Sequence, residues 1–302
     1  MDVDDLDGSD AFSAERVRIT TADGYNLGGA FLVPTSGPRV ALALHCGAGI
    51  AAIRYRRIAR FLACGGVSVL LYDYRGIGWS APHALRGFQA KVEDWSEFDV
   101  AAANFALADR FPGVPLVGLA HSVAALLLLG SPNADLYGRL VFVAPHTGYV
   151  GDYRFAYRMP MAVLWHVLMP ALTKAFGYFP ARALHLGEDI PAGVAMQWAR
   201  RRRPHLLSGL AASDRARHLL TNAGNLCTTT TVITISDDAF ATLAGARRLL
   251  SWAPHLVTVF QTVRPLDANA PKLGHFGYFT KVGAGLWGAL LAQLLQPTAS
   301  GA

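Results

Sequence analysis

Leu116-Val117-Gly118-Leu119-Ala120-His121-Ser122-Val123-Ala124-Ala125 holds a strand, a tight turn and the start of an apolar helix within ten residues. The apolar run 116–119 suits a strand buried on both faces, and Val123 to Leu129 is apolar throughout, as a helix packed under such a sheet requires. Between them stands one hydroxyl, Ser122. A turn this sharp lifts the serine above the end of its strand in a strained backbone conformation, so the positions two before and two after it must be small. Here they are Ala120 and Ala124, where glycine is usual. The amide of Val123 opens the helix and is aimed where a negative oxygen would develop. The plain alternative is a serine that merely caps a helix, a position serine favours.

Outward from this turn, short β-rich runs alternate with helical ones. Arg16 to Thr20 and Leu27 to Pro34 read as strands joined at Ala22-Asp23-Gly24, and Val40 to Leu44 and Val67 to Tyr72 as the next two. Downstream, Leu140 to Ala144, Thr229 to Ile235 and Leu256 to Val263 are strands. Helical spacing covers Ile53 to Ala63, stopped by Cys64-Gly65-Gly66, then Asp94 to Arg110, and a final helix from about Phe276 to Leu295. Such alternation predicts an α/β fold, a mostly parallel sheet with helices on both faces. Residues 1–14 are expected to be a disordered acidic leader, and 15–147 with 226–297 to form the core. From about Gly148 to Asn225 no convincing strand is visible. Helical pieces such as Met159 to Phe176 and Val194 to Arg203 predict a helical cap insertion over residues 148–225.

A nucleophilic serine needs a base and an acid. Thr230-Thr231-Val232-Ile233-Thr234-Ile235-Ser236-Asp237-Asp238 is a strand ending in two carboxylates, the place for an acid that holds a histidine tautomer and stabilises the imidazolium. Asp238 is chosen over Asp237 because it lies deeper in the loop before a helix expected near Phe240; at least one of the two should cap that helix. Leu273-Gly274-His275-Phe276-Gly277 follows the last strand, which is where a general base must lie to reach the serine. Leu44-His45-Cys46-Gly47-Ala48-Gly49 follows an early strand, and its small residues let backbone approach substrate. An N–H of Gly47 or Ala48 would join Val123 in holding an oxyanion. His146 at a strand end, and Trp165, Tyr178 and Phe276, are expected to line an apolar pocket. His121 is set aside, since adjacent side chains point apart.

Composition narrows the classes. The 302 residues are 52% hydrophobic and 16% charged, with mean hydropathy +0.29, enough for one large domain with a sheet buried on both faces. The net charge of +6 is uneven: the first ten residues are acidic, while Arg200 to Arg203 form a basic run. No aromatic-interleaved basic patch accompanies it, so nucleic acid is not an expected partner. The run reads as a solvated helix face or as a lure for an anionic substrate. Three cysteines without a CxxC predict neither a disulfide framework nor zinc, and no histidine spacing predicts a metal or cofactor site. The amino-terminal stretch lacks a signal-peptide pattern, so a cytoplasmic location without stable membrane insertion is expected. A surface-bound lipase is a variant suggested by the apolar Met159 to Phe176. The sequence carries no indication of oligomeric state.

The chain resembles the α/β-hydrolase superfamily, and within it bacterial hydrolases of the serine aminopeptidase and esterase–lipase kind. Tyr72-Asp73-Tyr74-Arg75-Gly76-Ile77-Gly78-Trp79-Ser80 is similar to that family's Y-D-x-R-G-x-G-x-S segment, His45-Cys46-Gly47 to its H-G-x loop, and Ala120 to Ala125 to G-H-S-x-G-G with each glycine replaced by alanine. Gly177-Tyr178-Phe179-Pro180, Gly187 to Val194 and Gln197-Trp198 are similar to the cap of one subgroup. The resemblance implies an eight-stranded sheet and a covalent mechanism on Ser122, with Asp238 and His275. It implies a small-molecule acyl substrate and hydrolysis of an ester. A thioesterase or acyltransferase using the same residues is an alternative. A ligand-binding member without activity is another, and the alanines around Ser122 are the feature in its favour.

Overall fold

The computed structural model describes Leu6, residues 9–203 and residues 214–296. Ten strands are described: β1 (Phe12–Thr20), β2 (Asn26–Pro34), β3 (Val40–His45), β4 (Val67–Tyr72), β5 (Leu116–His121), β6 (Arg139–Val143), β7 (Tyr178–Phe179), β8 (Ile190–Pro191), β9 (Thr229–Ile235) and β10 (Val257–Val263). Eight form one sheet in the order β1-β2-β4-β3-β5-β6-β9-β10. β1 and β2 are antiparallel, β2 meets β4 antiparallel, and every later pair is parallel. This is the eight-stranded, mostly parallel sheet with helices on both faces that the resemblance implied.

Strand alternation builds two cores from one sheet, because successive side chains point to opposite faces. In β3, Ala41 and Ala43 join one core while Leu42 and Leu44 join the other; in β4, Leu70 and Tyr72 oppose Val67, Val69 and Leu71. The first core is closed by Val100 and Leu107 of the helical run 92–110, by the helix Ala124–Gly130, and by Ala216 and Leu249 of two later helices. The second is closed by Ile58 and Leu62 of Arg56–Cys64 and by Trp287, Leu290 and Leu294 of Trp287–Leu294. With both faces covered, the central strands read in sequence as continuous apolar runs.

Several boundaries differ from the sequence reading. The leader expected over 1–14 ends early: β1 begins at Phe12, paired with Pro34, and Leu6 is buried in the second core. Its residues 1–5, 7 and 8 lie outside the described residues, as do 204–213 of the expected cap. The final helix starts at Trp287 and not near Phe276, because 277–286 wind as tighter turns. Gly283 explains part of this: a Cβ there would sit 2.5 Å from the carbonyl oxygen of Tyr278. Between β6 and β9 the chain is mainly helical, but β7 and β8 pair as a small ladder that the apolar patterning did not reveal. This segment has its own core of Met169, Phe179, Ala181, Ala195 and Ala199. Its helix ends at Ala199, so the arginine run is no helix face; Arg201 is buried and donates to the Thr147 carbonyl, while Arg200, Arg202 and Arg203 are exposed.

Candidate active site

Four strand ends converge on Ser122. The residue itself follows β5 with φ 62, a left-handed conformation that costs a non-glycine residue on the order of 1–2 kcal/mol. Its N–H is held by the Val143 carbonyl at 3.0 Å, and Ala120 and Ala124 are fully buried against it in the chain. Alanine therefore fits where glycine is usual. One strand along, Ala144 after β6 is also left-handed, with φ 51 and its N–H on the Ile233 carbonyl at 2.8 Å. That bend turns the chain so that His146 faces Ser122.

The hydrogen bonds at this point form a chain with one direction. The Gly148 N–H donates to His146 Nδ1 at 2.9 Å. A neutral His146 then carries its proton on Nε2, which donates to Ser122 Oγ at 2.9 Å. Burial pushes the His146 pKa down to about 3, so the ring is neutral at pH 7. With one lone pair of Oγ engaged, the serine hydroxyl donates to His275 Nε2 at 2.8 Å, and His275 Nδ1–H donates to Asp238 Oδ2 at 2.6 Å. Burial alone would raise the Asp238 pKa, but the adjacent His275 and the amides of Phe240 and Ala241, on Oδ1 at 2.8 and 3.1 Å, hold it at about 2.

The neighbouring carboxylate does different work. Asp237 accepts the Leu273 N–H at 2.9 Å and the Gly274 N–H at 3.0 Å, and so pins the loop that carries His275. Neither aspartate caps the next helix; Thr242 does, its side chain accepting from Gly245. His121, set aside from sequence, is a second support for that loop. Its Nε2–H donates to the His275 carbonyl at 3.0 Å, and its Nδ1 accepts from the Tyr55 hydroxyl at 2.8 Å. Burial drives the His121 pKa well down, which keeps this pattern neutral.

Tyr55 changes the oxyanion expectation. Its hydroxyl accepts the Gly47 N–H at 2.8 Å, so that donor is already taken. Among the described residues nothing accepts from the N–H of Ala48 or of Val123. Of the four expected lining residues, only His146 touches Ser122. Trp165 packs on Trp198 at 5.9 Å inside the cap, and Tyr178 lines an outer cleft with Arg86 and Arg182. Phe276 stands edge-on to Tyr55 at 5.2 Å. Two other rings lie against the histidines: Phe240, which the sequence did not single out, meets His275 at 5.7 Å, and Tyr153, one of the cap aromatics, meets His146 at 5.9 Å. Ser122 is 6% exposed.

Buried neutral histidines make stability depend on pH. Burial lowers the His45 pKa to about 3 in the folded chain, against 6.5 for an unburied imidazole. Below pH 6.5 the unfolded chain takes this proton and the folded chain does not. The stability is thus complete above pH 6.5 and is lost as pH falls toward 3, by about 1.4 kcal/mol per pH unit. Between pH 6 and pH 4.5 the unfolding free energy from urea melts should fall by about 2 kcal/mol more in the native chain than in His45→Gln; equal falls would remove the assignment.

A family model described as serine aminopeptidase, S33, matches residues 36–259. Among solved structures the chain is similar to an esterase of Pyrococcus furiosus, with TM-score 0.61 and 18% identity over 98% of this chain and 93% of that one. It is also similar to a monoacylglycerol lipase of Paleococcus ferrophilus, with TM-score 0.56 and 14% identity over 94% and 98%. A thioesterase domain from the curacin biosynthetic pathway follows, with TM-score 0.51 and 16% identity over 94% and 99%. No curated protein sequence matches. At these identities the likeness speaks to the fold.

Proposed function

Because the chain belongs to the serine aminopeptidase family S33, a family of hydrolases, we propose that it cleaves a carboxylic ester through an acyl-enzyme formed on Ser122. The observation that carries this reading is the one-way donor chain His146 to Ser122 to His275 to Asp238. His275 Nε2 takes the hydroxyl proton as Oγ attacks the carbonyl carbon. The same proton then goes to the departing alkoxide, and water repeats the sequence in reverse to release the acid. Asp238 keeps the His275 proton on Nδ1 and stabilises the imidazolium. The N–H groups of Val123 and Ala48 receive the carbonyl oxygen as it gains charge, each worth roughly 3 kcal/mol of barrier.

His146 adds a donor to the nucleophile itself. Its Nε2–H leaves Oγ only one acceptor direction free and turns the hydroxyl hydrogen toward His275. It also favours Oγ as the proton departs. A hydrogen bond to a group gaining charge contributes about 1.5–3 kcal/mol, so His146→Phe should lower kcat by roughly 10–100-fold. KM should change little. His146→Gln, which keeps an N–H, should recover part of the rate. An unchanged kcat in His146→Phe on a p-nitrophenyl ester would remove this role.

The direct test of the reading is a fluorophosphonate, which reacts only with an activated serine. The native chain should gain one adduct by intact mass, and Ser122→Ala none. A folded native chain that stays unlabelled, in detergent as well as in buffer, would overturn the proposal.

A further inference from the structure

The helix Phe155–Phe176 is 22 residues long, and long and apolar enough to cross a membrane by length and composition alone. One side packs onto the cap core through Met169, with Leu164, Trp165 and Leu172 against it. Among the described residues nothing covers the other side. Phe155, Met159, Val163 and Val167 recur every fourth residue, hence on one face, and are exposed, Phe155 by 85% and Met159 by 72%. A continuous apolar strip of this kind on a folded surface marks a place of contact.

Charge identifies what makes the contact. Residues 148–213 hold eight Lys and Arg against three Asp and Glu. Two of those acids are already paired, Asp152 with Arg248 and Glu188 with Arg182. The helix itself contains no acid, and Arg154, Arg158 and Lys174 beside the strip are exposed. A second copy of the chain would set these cations against their like. An anionic bilayer offers an apolar interior to the strip and negative headgroups to its rim. We propose that the cap docks on an anionic phospholipid bilayer, with this helix lying in the plane of the interface. Phe155, Met159, Val163 and Val167 enter the acyl region, and Arg154, Arg158 and Lys174 meet phosphates.

The same helix reaches the serine. Arg154 N–H donates to the Ala239 carbonyl at 2.9 Å, the Tyr157 ring stands on Phe240 at 5.8 Å, and Phe240 stands on His275. Drawing the first turn of the helix into a bilayer therefore shifts the cover over Ser122 and opens it toward the lipid. On the reading of Ser122 proposed above, the substrate is then an ester delivered from the lipid phase.

The test is co-sedimentation of the full chain with vesicles of phosphatidylcholine containing about 30 mol% phosphatidylglycerol, against phosphatidylcholine alone. Binding to the anionic vesicles should be at least about tenfold stronger and should weaken in high salt. Phe155→Ser with Val167→Ser, and separately Arg154→Glu with Lys174→Glu, should each lower it by about tenfold, while all variants still react with the fluorophosphonate in buffer. Ser122→Ala should bind as the native chain does. Faster labelling of Ser122 on the anionic vesicles would support the coupling to the site. Failure to bind either vesicle, equal binding to both, or a stable dimer that buries Phe155 and ignores vesicles would overturn the docking, whatever the labelling shows. Binding without any labelling would instead overturn the serine reading and leave the docking standing.

Discussion

Ser122→Ala is expected to lower kcat for a small activated ester by on the order of 10^5–10^6, with the chain still folded. The size follows from what the hydroxyl does. Ser122 Oγ is engaged by both His146 and His275, at 2.9 and 2.8 Å. On the proposed mechanism, the variant keeps the N–H groups of Ala48 and Val123 and whatever binding energy the ester brings, but loses the covalent route. Folding should be little affected, because alanine carries the same Cβ through the φ of 62 that serine already tolerates. The loss should also be shared: His275→Ala in the Ser122→Ala background should cost almost nothing further, since residues that act as a unit are not additive. Steady-state kinetics with both single variants and the double variant check this. A Ser122→Ala protein within about tenfold of native activity would place the chemistry elsewhere, since loss of a nucleophile costs far more than that.

What was legible in the sequence was whatever repeats at short range. The β3, β4 and β5 strands were readable because burial on both faces makes them continuous apolar runs, and Ser122 was readable because the strand, the turn and the small residues lie within ten positions. Chain order and strand ends pointed to His275 and Asp238, which the fold brings within hydrogen-bond distance of each other and of Ser122. What escaped was decided by contacts between distant segments. Nothing local in Ala52-Ile53-Arg54-Tyr55 shows that the Tyr55 hydroxyl occupies the Gly47 amide and supports His121 from 66 residues away. His121 was set aside by a rule about neighbouring side chains that is correct. Pointing away from Ser122 is how it comes to reach beneath the His275 loop. The cap aromatics failed for a related reason. Composition marks Trp165 and Tyr178 as apolar, but only packing tells which rings fill the cap and which, like Phe240, cover the histidine.

The choice between Asp237 and Asp238 yields the second large effect. Asp238→Asn should lower kcat by on the order of 10^4 while leaving the backbone in place. The reason lies in which oxygen is replaced. Oδ1 accepts the amides of Phe240 and Ala241, and only an oxygen can stay there. The new NH2 must then face His275 Nδ1, where Oδ2 stood at 2.6 Å. Two donors cannot share that contact, so the imidazole moves its proton to Nε2. It then has no lone pair left for the Ser122 hydroxyl. Because the Asp238 carboxyl is held near 2, the native chain keeps this carboxylate ionised down to about pH 3, and its titration contributes nothing to a pH profile above that. Asp237→Asn removes one acceptor of two from the Leu273–Gly274 turn and leaves the His275 tautomer alone. Its cost should be about tenfold, and it should appear partly as reduced thermal stability. The two variants, measured side by side for kcat and Tm, separate an acid that acts on the base from one that holds its loop. If Asp237→Asn proved the more damaging to kcat, with Asp238→Asn nearly silent, the assignment of the acid would have to be reversed.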